Sequence, residues 1–262
     1  MDTILVATDF SEMAQNAADY AVEMAMHTEA SVLLVNAYQL VLTSENGLVN
    51  MQEMEVMKNI AENSMKAEQQ RLQAIAPGLK LETFLSPGAV LHTISELCEQ
   101  LKPMLVVMGS SGASGSLLWG STSSAAFREL KMPVLAIPAG FRWEPVKSLC
   151  FAADYHQIED AGPVNAVASW LKRFHAKLFM LHIDKPGEKT EPSAVFQQAF
   201  ATLDPVYINA ENNDVEKGVE EFLKNHSVGW LVIMPHKHSF FAIGNTKKLA
   251  HINTHPILAV HE

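Results

Sequence analysis

MLVVMGSSGASGSLLWGST, residues 104–122, is the stretch from which the fold is read. It opens with an apolar run, Met104 to Met108, of the kind that suits a strand buried on both faces. It then breaks into Gly109-Ser110-Ser111-Gly112-Ala113-Ser114-Gly115, and a helix start is expected near Ser121, followed by Thr122, Ser123 and Ser124. Strand, glycine-rich turn and helix start together form a phosphate cradle. Glycine lets backbone N–H groups approach closely, and a helix N-terminus adds unpaired donors and partial positive charge. No Lys or Arg lies between Gly109 and Thr122. A phosphate held there relies on amides, hydroxyls and a metal ion. The plainer alternative is a flexible Gly/Ser loop. Gly-Lys-Ser/Thr is absent, and Gly109-x-x-Gly112-x-x-Gly115 does not match the dinucleotide spacing.

Upstream, Thr3 to Ala7 (TILVA) reads as a buried strand ending at Thr8-Asp9-Phe10-Ser11, with Ser11-Glu12 as a helix start. Ser31 to Val35 is a second strand. Leu48 to Ala76 is one long amphipathic helix, with Met51, Met54, Met57, Met65, Leu72 and Ile75 expected towards the core. Leu79 to Leu85 is a third strand, Ala89 to Leu101 a helix, and Pro133 to Ile137 a closing strand. Strands alternating with helices imply a parallel sheet covered on both faces. After Pro138-Ala139-Gly140 the pattern restarts. Leu149 to Asp154 repeats Leu5 to Asp9, Lys177 to His182 repeats Ser31 to Asn36, and Val232 to Met234 repeats Val106 to Met108. Pro256 to Val260 then repeats Pro133 to Ile137. The offset shrinks midway, where the long helix contracts to Ser193–Leu203. The expected fold is α/β: two tandem doubly wound, Rossmann-like, parallel five-stranded sheets, residues 1–140 and 146–262, packed as an intramolecular pseudo-dimer. An open apolar edge invites aggregation, so the closing strands of the two units are expected to lie side by side.

With 262 residues, 48% hydrophobic and 18% charged, the chain can form a large core. A net charge of −10 argues against nucleic acid as a partner, since phosphate backbones demand a basic surface. Cys98 and Cys150 lie in apolar settings, which fits a reducing cytoplasm. No membrane-spanning run or basic leader is read from the sequence.

Residues Ile4 to Glu12, Gly109-x-x-Gly112 followed by Gly120-Ser121, and Met132 to Pro138 resemble the universal stress proteins. The likeness is strong in the first half and weak in the second. It implies the adenine-nucleotide alpha-hydrolase-like fold, with ATP or AMP at the carboxyl ends of the first, second and fourth strands and Mg2+ accompanying ATP. Carried over, Ala7 and Asp9 lie near adenine and ribose, and Asn36 faces the base. Met108, Gly109, Ser111 and Gly112 line the ribose and phosphate path, and Gly120, Ser121 and Thr122 hold the phosphates. Two departures stand out. The loop Ala113 to Trp119 is shorter than the family's, and Asn36 stands where a small apolar residue is common. The implied role is a cytoplasmic, nucleotide-responsive stress and signalling module with an unidentified protein partner, and a further homodimer is open. A slow ATP hydrolase and an interaction protein that binds no nucleotide are the alternatives.

The second half lacks the loop. Met234-Pro235-His236-Lys237-His238 replaces it, followed by Ser239, Phe240 and Phe241, and Pro235 removes an N–H. One nucleotide per chain is therefore expected. His236-x-His238 has no accompanying cysteine or acidic ligand, so no metal site is assigned. No catalytic residues are assigned either, because no Gly-x-Ser-x-Gly elbow or general base is identifiable. If Gly109 and Gly112 serve the phosphates alone, valine at either position removes ligand and leaves the fold intact.

Overall fold

The computed structural model describes residues 2–38, 51–110, 121–153, 155, 162–234, 249 and 252–260. The first half runs β1 (Thr3–Ala7), α1 (Glu12–Thr28), β2 (Ser31–Tyr38), α2 (Met51–Ile75), β3 (Leu81–Pro87), α3 (Val90–Leu101), β4 (Leu105–Ser110), α4 (Ser121–Glu129) and β5 (Val134–Pro138). The second runs β6 (Ser148–Ala152), α5 (Gly162–Phe174), β7 (Lys177–Asp184), α6 (Ala194–Phe200), β8 (Val206–Glu211), α7 (Val215–Asn225), β9 (Trp230–Ile233) and β10 (Ile257–Ala259).

The two expected sheets are one. The strand order is β3-β2-β1-β4-β5-β10-β9-β6-β7-β8, parallel within each half. The halves join through the antiparallel pair β5–β10, with Leu258 opposite Leu135, Ile257 opposite Ala136 and Ala259 opposite Val134. The closing strands thus cover each other across a pseudo-twofold axis. Each five-strand array has its order reversal at the same place, between β1 and β4 and between β6 and β9.

Burial on both faces follows from unbroken apolar strands. Ile4, Val6, Leu34 and Val107 face α1 and α2, while Leu5, Val35, Val106 and Ala136 face α3 and α4. Helix α1 presents Ala14, Ala17, Ala18, Ala21 and Ala25, small residues that bring it close to the sheet. Helix α2 differs from its expected stripe. Met65 and Leu72 are buried, but Met54 and Met57 are half-buried and Ile75 is exposed. The buried line is Ala61, Met65, Glu68, Leu72 and Ala76. Spacing by Met alone misplaced it, and in the first turns of α2 Val56 and Ile60 are exposed. Buried Glu68 is paired by Arg71 (2.7 Å), which also reaches Asp19 on α1 (2.6 Å) and clamps α2 to α1.

An aromatic cluster ties the halves together. Trp230 on β9 donates its indole N–H to the Tyr20 hydroxyl on α1 (2.6 Å). Trp143 of the connecting segment meets Tyr20 edge-on at 5.1 Å, and Phe174 packs on Trp143 and Trp230. Burial pushes the Tyr20 phenol well above its ordinary pKa, so it stays protonated as acceptor and donor.

Candidate functional site

Open parallel sheets bind ligands beyond their carboxyl ends, where the strand order reverses. In the first half that crest is made by the ends of β1, β2 and β4 and the start of α4. Ala7 is buried at the end of β1, and Asp9 is exposed two residues on. The Ser11 N–H and hydroxyl both donate to Asp9 Oδ1 (3.0 and 2.6 Å), and Ser11 Oγ accepts from the Ala14 N–H to cap α1. Between them Phe10 has φ of 65°, a left-handed conformation rare for an aromatic residue. The Phe10 N–H donates to Thr8 Oγ1 (3.0 Å), which supports that turn.

Asn36 lies on β2 level with Thr8 and is buried. Its amide Nδ2 donates to the Thr8 carbonyl (2.7 Å), while no described residue donates to its buried Oδ1. Met108 is buried on β4. Helix α4 starts at Ser121, with Thr122 exposed and Ser123 buried. Ser111, Gly112 and Gly120 lie outside the described residues, as do Asp154, Pro235, His236, His238, Phe240 and Phe241.

Gly109 belongs to β4, paired with Ile137, and Ser110 continues the strand opposite Pro138. The turn therefore starts later than expected. A Cβ on Gly109 would lie 2.8 Å from the Met13 carbonyl oxygen and 2.9 Å from its carbon. Those are backbone atoms of α1 and cannot rotate away. Gly109 is thus needed by the packing of α1 on β4, so the expectation that valine there spares the fold is corrected. The sequence pattern hid this, because a glycine at a strand end reads first as a turn residue.

The equivalent crest of the second half is filled by the chain itself. His182, the counterpart of Asn36, donates from Nδ1 to the Ala153 carbonyl (3.0 Å), and its Nε2 lies 3.5 Å from Asp184 Oδ1. Tyr155 stacks on His182 at 4.9 Å and packs against Phe196 and Tyr207. Its hydroxyl donates to the Met180 carbonyl (2.5 Å) and accepts from the Ile208 N–H (3.1 Å). Burial raises its pKa well above the ordinary phenol value. The Thr190 N–H donates to Asp184 Oδ1 and the Asn209 amide to Oδ2. Burial works against the Asp184 charge. The hydrogen bonds from Thr190 and Asn209, with His182 nearby, outweigh it and hold the pKa below 3.8. None of this network was read from the sequence. Its one signal was Tyr155 and His182 at repeat positions held by Phe10 and Asn36.

A carboxylate depressed in the folded state adds stability above its unfolded pKa, and that stability is lost as pH falls through the folded value. Asp184→Asn should therefore lose less stability than wild type on acidification below about pH 4. Urea unfolding at several pH values checks this, and parallel curves for the two proteins would reject it.

Among the described residues no three His, Cys, Asp or Glu side chains gather to hold a metal ion. No described helix is long and apolar enough to cross a membrane.

The fold defines a class: tandem, doubly wound α/β proteins. The model of the universal stress protein family matches residues 1–138, and the chain belongs to that family. Universal stress protein YxiE of Bacillus subtilis is 31% identical over 143 residues, covering 51% of this chain and 97% of that protein. A universal stress protein of Methanocaldococcus jannaschii is 25% identical over 138 residues, covering 51% and 80%. The crystal structure of a universal stress protein from Archaeoglobus fulgidus spans both halves. It covers 99% of this chain and 98% of its own, with a TM-score of 0.74 at 18% identity, which extends the fold to the second half.

Proposed function

We propose that the first unit, residues 1–140, binds one adenine nucleotide, ATP or AMP, and that the second, residues 146–262, is a packing partner that binds none. The chain then acts as a nucleotide-responsive regulatory module in the cytoplasm. One observation carries the reading: two crests of equal topology differ, the second filled by Tyr155 over His182, the first presenting exposed Asp9 and a buried Asn36 acceptor to which no described residue donates. An orphaned acceptor beside the reversal point fits a ligand that carries N–H groups. Asp9 would meet the ribose, Met108 would line the path from base to phosphate, and the α4 N-terminus at Ser121 and Thr122 would draw the phosphates. Mg2+ would neutralise phosphate charge in a site without Lys or Arg. Ser111, Gly112 and Gly120 complete the cradle in this reading. Buried Cys98, whose thiol is pushed up to about 11 by burial, and buried Cys150 agree with a reducing compartment.

Calorimetric titration of the nucleotide-stripped chain with ATP and AMP, with and without Mg2+, should give a stoichiometry near one. Asp9→Ala should weaken binding about tenfold or more, the scale of one charge-assisted hydrogen bond. Ser11→Ala removes the helix cap and one of the two hydrogen bonds that hold Asp9, so it should cost about 1 kcal/mol of stability and weaken affinity less than Asp9→Ala does. Asp154→Ala should leave affinity in place. Two equivalent sites, or no heat with either nucleotide, would overturn the reading.

A further inference from the structure

Asn36 holds a second piece of information, about which base the crest accepts. Its amide orientation is fixed by chemistry. Turning it over would set Oδ1 2.7 Å from the Thr8 carbonyl, acceptor against acceptor. Nδ2 therefore faces the backbone and Oδ1 is the atom left over. A buried acceptor without a donor is costly, and such atoms call for an explanation.

The molecule contains its own control. His182 occupies the same register position on β7 and makes the same bridge, to the Ala153 carbonyl that corresponds to Thr8. There the remaining ring nitrogen faces Asp184, and Tyr155 covers the ring. In the filled crest, then, both polar atoms of the bridging side chain face groups of the chain. In the other crest one faces no donor among the described residues, and it sits near the carboxyl end of β2, next to the end of β1 where a ligand would lie.

We infer that Asn36 is a specificity residue of this site. Its Oδ1 accepts a hydrogen bond from the exocyclic amino group of a nucleobase and excludes bases with a carbonyl oxygen there. The inference rests on the nucleotide reading above and adds the chemical class. Adenine presents an amino donor at its 6 position. Hypoxanthine and guanine present oxygen, which would leave two acceptors facing each other in a dehydrated place. A side chain that also held the base through Nδ2 would read both edge atoms. Here that group is already engaged with Thr8, so discrimination falls on the single acceptor.

The test compares AMP with IMP, and ATP with ITP in Mg2+, on the full nucleotide-stripped chain. The paired ligands differ at the 6 position and share ribose and phosphates. The wild type should bind the amino member roughly 10- to 100-fold tighter, the scale of one buried hydrogen bond made or refused. Asn36→Val should bring each ratio to within about threefold, through weaker binding of AMP and ATP with IMP and ITP little changed. Asn36→Ala should do the same. Asn36→Val removes the orphaned acceptor and also the donor to the Thr8 carbonyl, changes of opposite sign in stability, and a cooperative melt confirms that the variant is folded. Equal affinities in the wild type, or an unchanged ratio in both variants, overturn the role of Asn36 and leave the nucleotide site standing. Failure to bind any of the four nucleotides overturns both.

Discussion

Valine in place of Gly109 is expected to destabilise the first half strongly. The Cβ alone would press within 3 Å of the Met13 carbonyl group, and valine adds two methyl groups to that contact. Helix α1 cannot retreat cheaply, because its alanine face is packed on β1, β2 and β4 and its Asp19 is held by Arg71. Overpacking costs about 1–3 kcal/mol where side chains can give way, and more where backbone must move. Alanine at 109 should cost about 2 kcal/mol and valine upwards of 3, against a total stability of roughly 5–15. Urea unfolding of the three proteins should show that order. Wild-type midpoints for both variants would mean that α1 slides freely, and the close-packing account would be withdrawn. If the variants lose stability in that order, loss of nucleotide binding in Gly109→Val reports lost packing, not a lost phosphate contact. Gly112→Val remains the variant aimed at the ligand.

Lysine in place of Leu258 should be comparably damaging, for a different reason. Leu258 is fully buried opposite Leu135 in the antiparallel pair β5–β10. A lysine there loses its apolar contacts and places an ammonium in a core without a carboxylate facing it across the ladder, a cost of several kcal/mol. Losing this pair also bares two apolar strand edges, on β5 and β10, each able to pair with another chain. Light scattering should therefore show large assemblies, and the melting transition should be lost or displaced far downwards. Leu258→Met, nearly equal in volume, should change stability by less than about 1.5 kcal/mol. A monomeric Leu258→Lys with an unchanged melt would show that the halves do not depend on this seam.

Much of the fold was legible because buried parallel strands are written as apolar runs that nothing else in a soluble chain imitates. TILVA, SVLLV and PVLAI announced themselves, and their recurrence after Gly140 announced the second half. The β5–β10 seam followed from the need to cover two apolar edges. Less was legible at the periphery. β8 (VYINAE) is an edge strand with alternating exposure, and neither its polar residues nor its length separate it from a loop. Helices α5 and α7 went unassigned for the same reason, that one apolar face against polar residues is a weak signal over so few turns. At the site, Ala7, Asp9, Asn36 and Met108 were named through the resemblance to the family, on or just beyond strands that the apolar runs had marked. The reason for Gly109 could not be read, since it depends on how closely α1 lies over β4. Tyr155 was equally hidden: no local pattern tells a buried aromatic plug from a turn residue.

Because β5 and β10 run in opposite directions, the halves point their carboxyl ends to opposite edges of the sheet. The first crest consequently has as its neighbour the amino-terminal approach to β10. His255 stands in that approach, packed near Phe141, whose carbonyl and that of Pro138 accept from the Asn16 amide of α1. Burial draws the His255 pKa below the ordinary imidazole value, so at neutral pH the ring carries no charge. Met132, the repeat of His255, precedes β5 at the equivalent border of the second half. Two identical chains would carry the same residues at both borders, and any change at one would be copied to the other. Fusion removes that constraint. An imidazole stands at the border of the proposed ligand crest and a methionine at the other, so each border is free to diverge without disturbing its twin.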